Sequence, residues 1–555
     1  MTQAGASPGQ RTRWWPGDRQ LALPSVRSVA VACAGTLFFL AFWFSHPRPL
    51  SERPVFNSPR EAVGYHLTER FLDGHGFSAP LLHYDELPRT IAIALTPRDA
   101  ASLDGAVLPK DFAGTMLLYA AAMALHPSLA LVLAPAFALL GAWALMRLTE
   151  ELFGTAAGFI AFCVWLAFPP LWMISSFIFM ADPPALAMLL LSALTFLRFW
   201  RNPTSRGAAV VTACLCAAVM FRYPNVLLVV PFVAAPLIRR RLTLTHAAAA
   251  AAVAAGFIGV LLSFNQLVYG APFTTGFHLG AQLISDTVHY SGESFFKRRP
   301  DVFLQYLRIY GGTPVIAVPV VGAFAATAFV ALRRRGEQQL MALMALAIFA
   351  LLAYYYGGQD AWGYTSAQLN ASVLRYLLPG FALLAAFGAG AIAAAARRAG
   401  WVLYLVPLAI VVASAWSVQR APGGTRELYA GIRHYSELHT EIVASTEPDA
   451  IIAVRTLDKV LFPERQTLTL TYAIQHDEPF SKGGLETWDH VASPERFAEI
   501  AERIDLAGIP LYFLPDALTG PVAPYEEALA ERGYSLQQVS EVESTTLFMV
   551  ARRAL

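Results

Sequence analysis

Long apolar runs broken by short polar punctuation dominate the first four-fifths of the chain. A spanning helix needs about 20 mostly apolar residues, because the hydrocarbon core is roughly 30 Å thick and a helix rises 1.5 Å per residue. Runs of that kind are read at 27–45, 129–147, 154–173, 181–200, 207–221, 223–238, 246–268, 313–332, 338–356, 374–396 and 400–418. The pattern therefore predicts about eleven spans. A further apolar run, Phe112 to Leu125, is too short to cross comfortably and is read as a helix lying in the interface. The first run follows a basic leader, Arg11 to Arg27, without a small-residue cleavage site, so it is expected as a retained span behind a cytoplasmic segment, 1–26.

Arginine sets the expected orientation. The clusters Arg198/Arg201/Arg206, Arg239 to Arg241, Arg333 to Arg335 and Arg397-Arg398 all fall on one side of an eleven-span chain. Short Lys/Arg-rich loops mark the cytoplasmic face. The segments 46–128, 269–312, 357–373 and 419–555 are then expected outside. After Pro422-Gly423-Gly424 charges become frequent. Short β-branched runs such as Ile451 to Val454 and Ile509 to Leu514 alternate there with a helical pattern at Pro494 to Arg503. A small α/β domain over 425–555 is expected, attached to a transmembrane domain over 27–420.

Composition changes the picture only by exclusion. Of the 555 residues 56% are hydrophobic and 14% charged, against roughly 45–50% and 25% for a soluble domain. Neither a soluble enzyme nor a disordered chain has that balance. The formal charge of +2 offers no footprint for nucleic acid. The four cysteines lie inside apolar runs, so neither a disulfide framework nor a cysteine zinc site is expected. There is no Walker loop, HExxH or Gly-x-Ser-x-Gly elbow. The reading is a polytopic α-helical membrane protein with no metal and no cofactor.

The candidate chemistry collects on the expected outer face. Asp182, Arg222 and Arg375 sit at the heads of apolar spans. Ionisable groups are expensive there and mark sites with partners. An arginine fork suits phosphate oxygens. The first outer segment supplies Glu61, Asp85-Glu86, Arg98-Asp99 and Lys110-Asp111, any of whose carboxylates can accept a proton as general base. Turn-rich Asn265 to His278 and aromatic Gly357 to Tyr364 complete that face.

Four fragments, taken in order, resemble the polytopic glycosyltransferases of the GT-C architecture. The bacterial family 39-like mannosyltransferase and aminoarabinose-transferase type is the nearer likeness. They are YHLTERFLDGHGFS from Tyr65, ADPPALAMLLLSALTFL from Ala181, NQLVYGAPFTTGF from Asn265 and RYLLP from Arg375. The resemblance implies an inverting transfer of a sugar from a polyprenyl-phosphate carrier to an envelope glycan, lipid or protein acceptor. It places that reaction at the outer face of a bacterial inner membrane. It also implies an acidic base in the first outer loop and arginines, here Arg222 and Arg375, on the donor phosphate. Tyr65, Asp182, His278 and Tyr376 are then expected to line the site. The family's acidic residue before the Tyr65 position is replaced: Asn57 carries no ionisable group, so Glu61 is ranked first as base, followed by Asp85 and Glu86. Two other classes remain open, a lipid or solute transporter and a non-catalytic scaffold of the same architecture. A transporter is expected to carry ionisable residues at mid-membrane, whereas the spans here are nearly free of charge.

Overall fold

The computed structural model describes residues 58–279, 314–356, 372–470, 493–515, 521–542 and 545–553. It also describes Thr36, Phe56 and short strands at 283–285, 472–475 and 488–490. The expected first span, Asn57 and the 357–364 loop lie outside the described residues.

The described chain begins with α1 (Pro59–Leu72). Pro59 occupies the first turn, where its missing N–H costs nothing, and Glu61 accepts the Ser58 backbone N–H at 3.1 Å. A three-stranded antiparallel sheet follows, from β1 (Ala79–Pro80), β2 (Ala100–Leu103) and β3 (Ala106–Pro109), in the order β1-β3-β2. Helix α2 (Arg89–Ala94) lies between its first two strands. The β2–β3 turn is Asp104-Gly105, with φ of 46° and 75°. Positive φ at both central residues gives the hairpin twist, which is why Asp-Gly serves there. Helix α3 (Ala113–Leu125) is the expected short apolar helix, 13 residues long. Gly114 allows it to meet the end of a later helix: an added Cβ would lie 2.8 Å from the Met220 carbonyl carbon.

The membrane bundle follows: α4 (Leu129–Phe153), α5 (Thr155–Leu166), α6 (Pro169–Ser175), α7 (Asp182–Arg201), α8 (Ser205–Phe221), α9 (Val226–Ile238) and α10 (Leu244–Tyr269). Then come α11 (Pro314–Arg333), α12 (Glu337–Tyr356), α13 (Ser372–Ala396) and α14 (Val402–Arg420). Among the described residues seven helices are long and apolar enough to cross a membrane, or eight if α5 and α6 form one span. That pair is bent by 57° where Pro169-Pro170 interrupt the hydrogen-bond ladder. Helices α8 and α9 coincide with the expected runs 207–221 and 223–238 but have only 17 and 13 residues. Tyr404, Leu405, Leu408, Val412 and Trp416 of α14 are exposed, the outward apolar face that a span turns to lipid.

Helix α15 (Thr425–Ser445) leads into a five-stranded sheet formed by β4 (Ile451–Val454), β5 (Gln466–Thr469), β6 (Leu511–Leu514), β7 (Tyr534–Val542) and β8 (Thr545–Arg552). Its order is β7-β8-β6-β4-β5, with β4 parallel to both neighbours. Helices α16 (Pro494–Leu506) and α17 (Ala523–Glu531) pack on it through Phe497, Ile500, Ile504, Tyr525 and Leu529. The β4 and β6 runs are buried along their whole length, as parallel strands covered on both faces must be.

This C-terminal α/β region is seated on the first segment. Their apolar residues form one buried cluster, from Leu67, Leu95 and Met116 to Ile451, Phe497 and Phe513. Asp458, fully buried, accepts hydrogen bonds from Arg98 Nε and from the Arg98 backbone N–H, each at 2.8 Å. Gln466 accepts from Leu82 N at 3.1 Å and donates to the Leu95 carbonyl at 2.6 Å.

Candidate active site

Chain direction sorts the charges into two groups. Asp182 opens α7, Arg222 follows α8, Tyr356 closes α12, Arg375 and Tyr376 lie in the first turn of α13, and Asp111 immediately precedes α3. All of them meet at one end of the bundle. Arg198, Arg201, Glu151 and Glu337 meet at the other.

Arg222 is the hub of the first group. Its side chain and that of Asp182 are 10% and 4% exposed, and they form an ion pair from Nη1 to Oδ1. Arg222 Nε donates to the Tyr356 hydroxyl at 3.2 Å, and the guanidinium lies 4.2 Å from the centre of the Tyr376 ring. Tyr356 and Tyr376 stack with centroids 4.3 Å apart. Arg375 stands on the other flank, 5.0 Å from the same ring, and its Nη2 donates to the Tyr376 hydroxyl at 3.2 Å. Two arginines thus share one aromatic plate. Aromatic faces attract guanidinium groups and fix their planes without using up their hydrogen-bond donors.

A second layer comes from the first segment. Asp111 is buried, and its Oδ2 lies 3.9 Å from Arg60 Nε, while Oδ1 accepts the Phe112 N–H at 2.9 Å. Asp99, held at a φ of 59°, and Arg375 both act on this pair electrostatically. Burial pushes the Asp111 carboxyl above its ordinary range, more than Arg60 and the Phe112 N–H pull it down. Burial works against the charge on Arg60, but Asp111 and Asp99 outweigh it and raise that pKa. Burial lowers Lys110, beside Asp99 and Arg60. Three cations (Arg60, Lys110 and Arg375) face two carboxylates here, with Arg222 and Asp182 neutralising one another, so the cluster carries a surplus positive charge.

Of the residues expected from sequence, Asp182, Arg222, Arg375 and Tyr376 come together. Glu61 does not present a free carboxylate: it is fully buried, Oε2 accepts Ser58 N, and Oε1 accepts Ile178 N at 2.7 Å. Asp85 and Glu86 are exposed, and Glu86 is tied to His83 at 2.7 Å, whose other ring nitrogen reaches the Asp449 carbonyl. Tyr65 is packed among Phe56, His66 and Phe179; burial and the Glu69 charge push its hydroxyl up to about 12. His278 is exposed and bonded to Thr275, one residue beyond Phe277, whose ring covers Phe112. Asp111 stands in the sequence as one of several carboxylates of the first outer segment, and Arg60 is not among the expected residues. Asp111 obeys the rule that selected Asp182, an ionisable group at the head of an apolar helix. Arg60 carries no such signal. Among the described residues no three His, Cys, Asp or Glu side chains gather as a metal site.

No family model matches the chain, and none of the curated proteins matches it. Solved structures do. The oligosaccharyltransferase of Archaeoglobus fulgidus, crystallised with zinc and sulfate, superposes with a TM-score of 0.55 at 11% identity, covering 95% of this chain and 73% of that one. ArnT from Cupriavidus metallidurans, solved with undecaprenyl phosphate, gives a TM-score of 0.49 at 12% identity, covering 94% of this chain and 97% of that one. The architecture is GT-C-like. Within it, the charged cluster occupies the end of the bundle on which the C-terminal α/β region is seated.

Proposed function

We propose that the chain is a glycosyltransferase that takes a sugar from a polyprenyl-phosphate carrier and passes it, with inversion, to a hydroxyl or amine acceptor. The observation that carries this reading is the meeting of a buried carboxylate, Asp111, with Arg60 and Arg375 at one end of an apolar bundle. A donor of this kind keeps its tail in lipid and its phosphate at headgroup level, where these cations are. The GT-C-like fold, shared with an oligosaccharyltransferase, supports the same class. The arginine clusters at the opposite end support an outer-face site in a bacterial inner membrane, with the C-terminal region outside as well.

The acceptor O–H or N–H gives its proton to Asp111 while the oxygen or nitrogen attacks the anomeric carbon from the face opposite the phosphate. The bond from that carbon to the phosphate oxygen breaks, its electron pair stays on oxygen, and the phosphate gains a second negative charge. Arg375 and Arg60 stabilise that developing charge, with Arg222 and the tyrosine plate holding Arg375 in line. A carboxylate with a raised pKa is the stronger base. We assign the proton to Asp111 rather than to Glu61, Asp85 or Glu86. Glu61 spends one oxygen on the Ser58 N–H at the start of its own helix and the other on the Ile178 N–H.

The test is release of free polyprenyl phosphate from proteoliposomes supplied with a panel of polyprenyl-phosphate sugars. Release by the wild type, lost in Asp111→Asn and kept in Glu61→Gln, is the expected result. Loss confined to Glu61→Gln, with folding intact, returns the base to Glu61. No release with any donor sinks the enzyme reading and favours a transporter.

A further inference from the structure

Well away from the charged cluster, a cavity of about 550 Å³ opens between the first segment and the C-terminal region. One wall is the α1 face bearing His66 and Glu69, with Asp73 just past the helix end. The opposite wall is Phe462, Pro463, Arg465 and Gln466, with Leu82 and Met123 closing the sides. Glu69 lies nine residues beyond Arg60 on α1, which is roughly 13 Å along the helix axis.

The wall's hydrogen-bonding capacity is selective. Arg465 places its donors on Thr446 Oγ1 and on the Val443, Thr446 and Glu464 carbonyls, at 2.8 to 2.9 Å. Arg70 Nε donates to the Ser78 carbonyl at 2.5 Å, and both ends of the Gln466 amide are engaged with Leu82 and Leu95. Facing the space are the Glu69 and Asp73 carboxylates and the end of the Arg70 side chain, with His66 bonded to Glu69 through Nδ1 at 3.0 Å and the Tyr65 hydroxyl on the same carboxylate. Formal charge nevertheless balances, two carboxylates against Arg70 and Arg465, so neither an anion nor a cation is specifically favoured. The remaining lining is apolar, with the Phe462 ring 6.0 Å from the His66 ring. A neutral ligand with many O–H donors and flat apolar faces fits both halves of that wall, and a sugar ring has that chemistry.

We propose that this cavity binds a sugar ring of the acceptor, at a position distinct from its reacting group. The proposal rests on the glycosyl-transfer reading and narrows it. With roughly 13 Å between Glu69 and Arg60, one ring cannot occupy the cavity and present its own hydroxyl to Asp111. The acceptor is therefore an extended glycan, held by one unit and glycosylated at another, and not a single monosaccharide or a small amine.

Saturation-transfer NMR on the full-length protein in detergent tests this, with neutral trisaccharides of glucose, mannose, galactose and N-acetylglucosamine as probes. Polyprenyl-phosphate binding is followed on the same preparations. At least one trisaccharide is expected to bind, and to lose on the order of a hundredfold in affinity in Glu69→Gln with Asp73→Asn, since each charge-assisted hydrogen bond is worth about tenfold. Leu82→Trp, which fills the cavity from an exposed position, is expected to do the same. Polyprenyl phosphate should bind all three proteins alike. No binding of any trisaccharide, binding indifferent to both variants, or cavity-dependent binding of peptides in place of sugars each overturns the proposal. Loss of polyprenyl-phosphate binding by the wild type overturns the donor reading instead, and leaves the trisaccharide result to be judged separately.

Discussion

The two ends of the bundle use the same residues to opposite effect. At one end Arg198 and Arg201 pair with Glu151 and Glu337, and their side chains are 17% to 50% exposed. At the other, Arg222 pairs with Asp182 beneath two stacked tyrosines, and Asp111 lies buried against Arg60. Water and salt screen the first network, so it contributes little and tolerates change. The second has been taken out of water, where unpaired charge is costly and matched charge is strongly felt by whatever enters. Surplus charge is useful for chemistry only where solvent does not cancel it.

The largest effect is expected from Asp111→Asn. Removing the proposed proton acceptor should lower transfer by roughly 10² to 10⁴-fold, measured as polyprenyl phosphate released per enzyme, with folding retained. Since burial raises the Asp111 pKa, wild-type kcat/KM should fall as pH drops through a value above the ordinary carboxylate range. The stability sign is the reverse of that of a salt-bridged aspartate. The contribution is complete below the unfolded pKa and lost as pH rises through the folded one. Asp111→Asn should therefore gain stability relative to wild type as pH rises, which thermal unfolding at several pH values reads.

Arg222→Ala comes next. It strands Asp182 in a buried position and should cost about 3–5 kcal/mol, read as a fall in Tm in detergent. Asp182→Leu combined with Arg222→Met should restore most of that Tm without restoring transfer. A smaller effect is expected where the C-terminal region is seated. Asp458→Asn weakens charge-assisted bonds to Arg98 worth about 1.5–3 kcal/mol, and limited proteolysis should release fragments from 425–555 sooner. The smallest belongs to the far end, where Glu337→Gln should cost at most about 1 kcal/mol and less still at high salt. A larger loss there would erase the distinction between the two ends.

Much of this was legible in the chain. The apolar runs announce the spans because a bilayer demands about 20 such residues wherever it is crossed. Gly423-Gly424 and the β-branched runs beyond announce the α/β region. Arg222, Arg375 and Asp182 declared themselves because ionisable residues at the heads of spans are rare. Among the carboxylates of the first outer segment the sequence offered a ranking and no geometry. Glu61 has the better position in the sequence, shortly before Tyr65, yet tertiary packing brings the Ile178 N–H onto it and makes it part of the helix start. Asp111 heads an apolar helix as Asp182 does, and is set apart from the other carboxylates of its segment because α1 and α3 lie side by side and bring Arg60 to it.

The chain alone is enough to give the solvent this protein lives in, the rough placement of its helices and the end at which Asp182, Arg222 and Arg375 gather. Each of these follows from hydropathy and charge, which act over whole segments and need no partner. Which carboxylate is buried, which arginine is held by which ring, and where the C-terminal region leaves a cavity were decided only by the tertiary structure. Those properties depend on distances between residues such as Arg98 and Asp458, 360 positions apart, and on the local dielectric that packing creates around them.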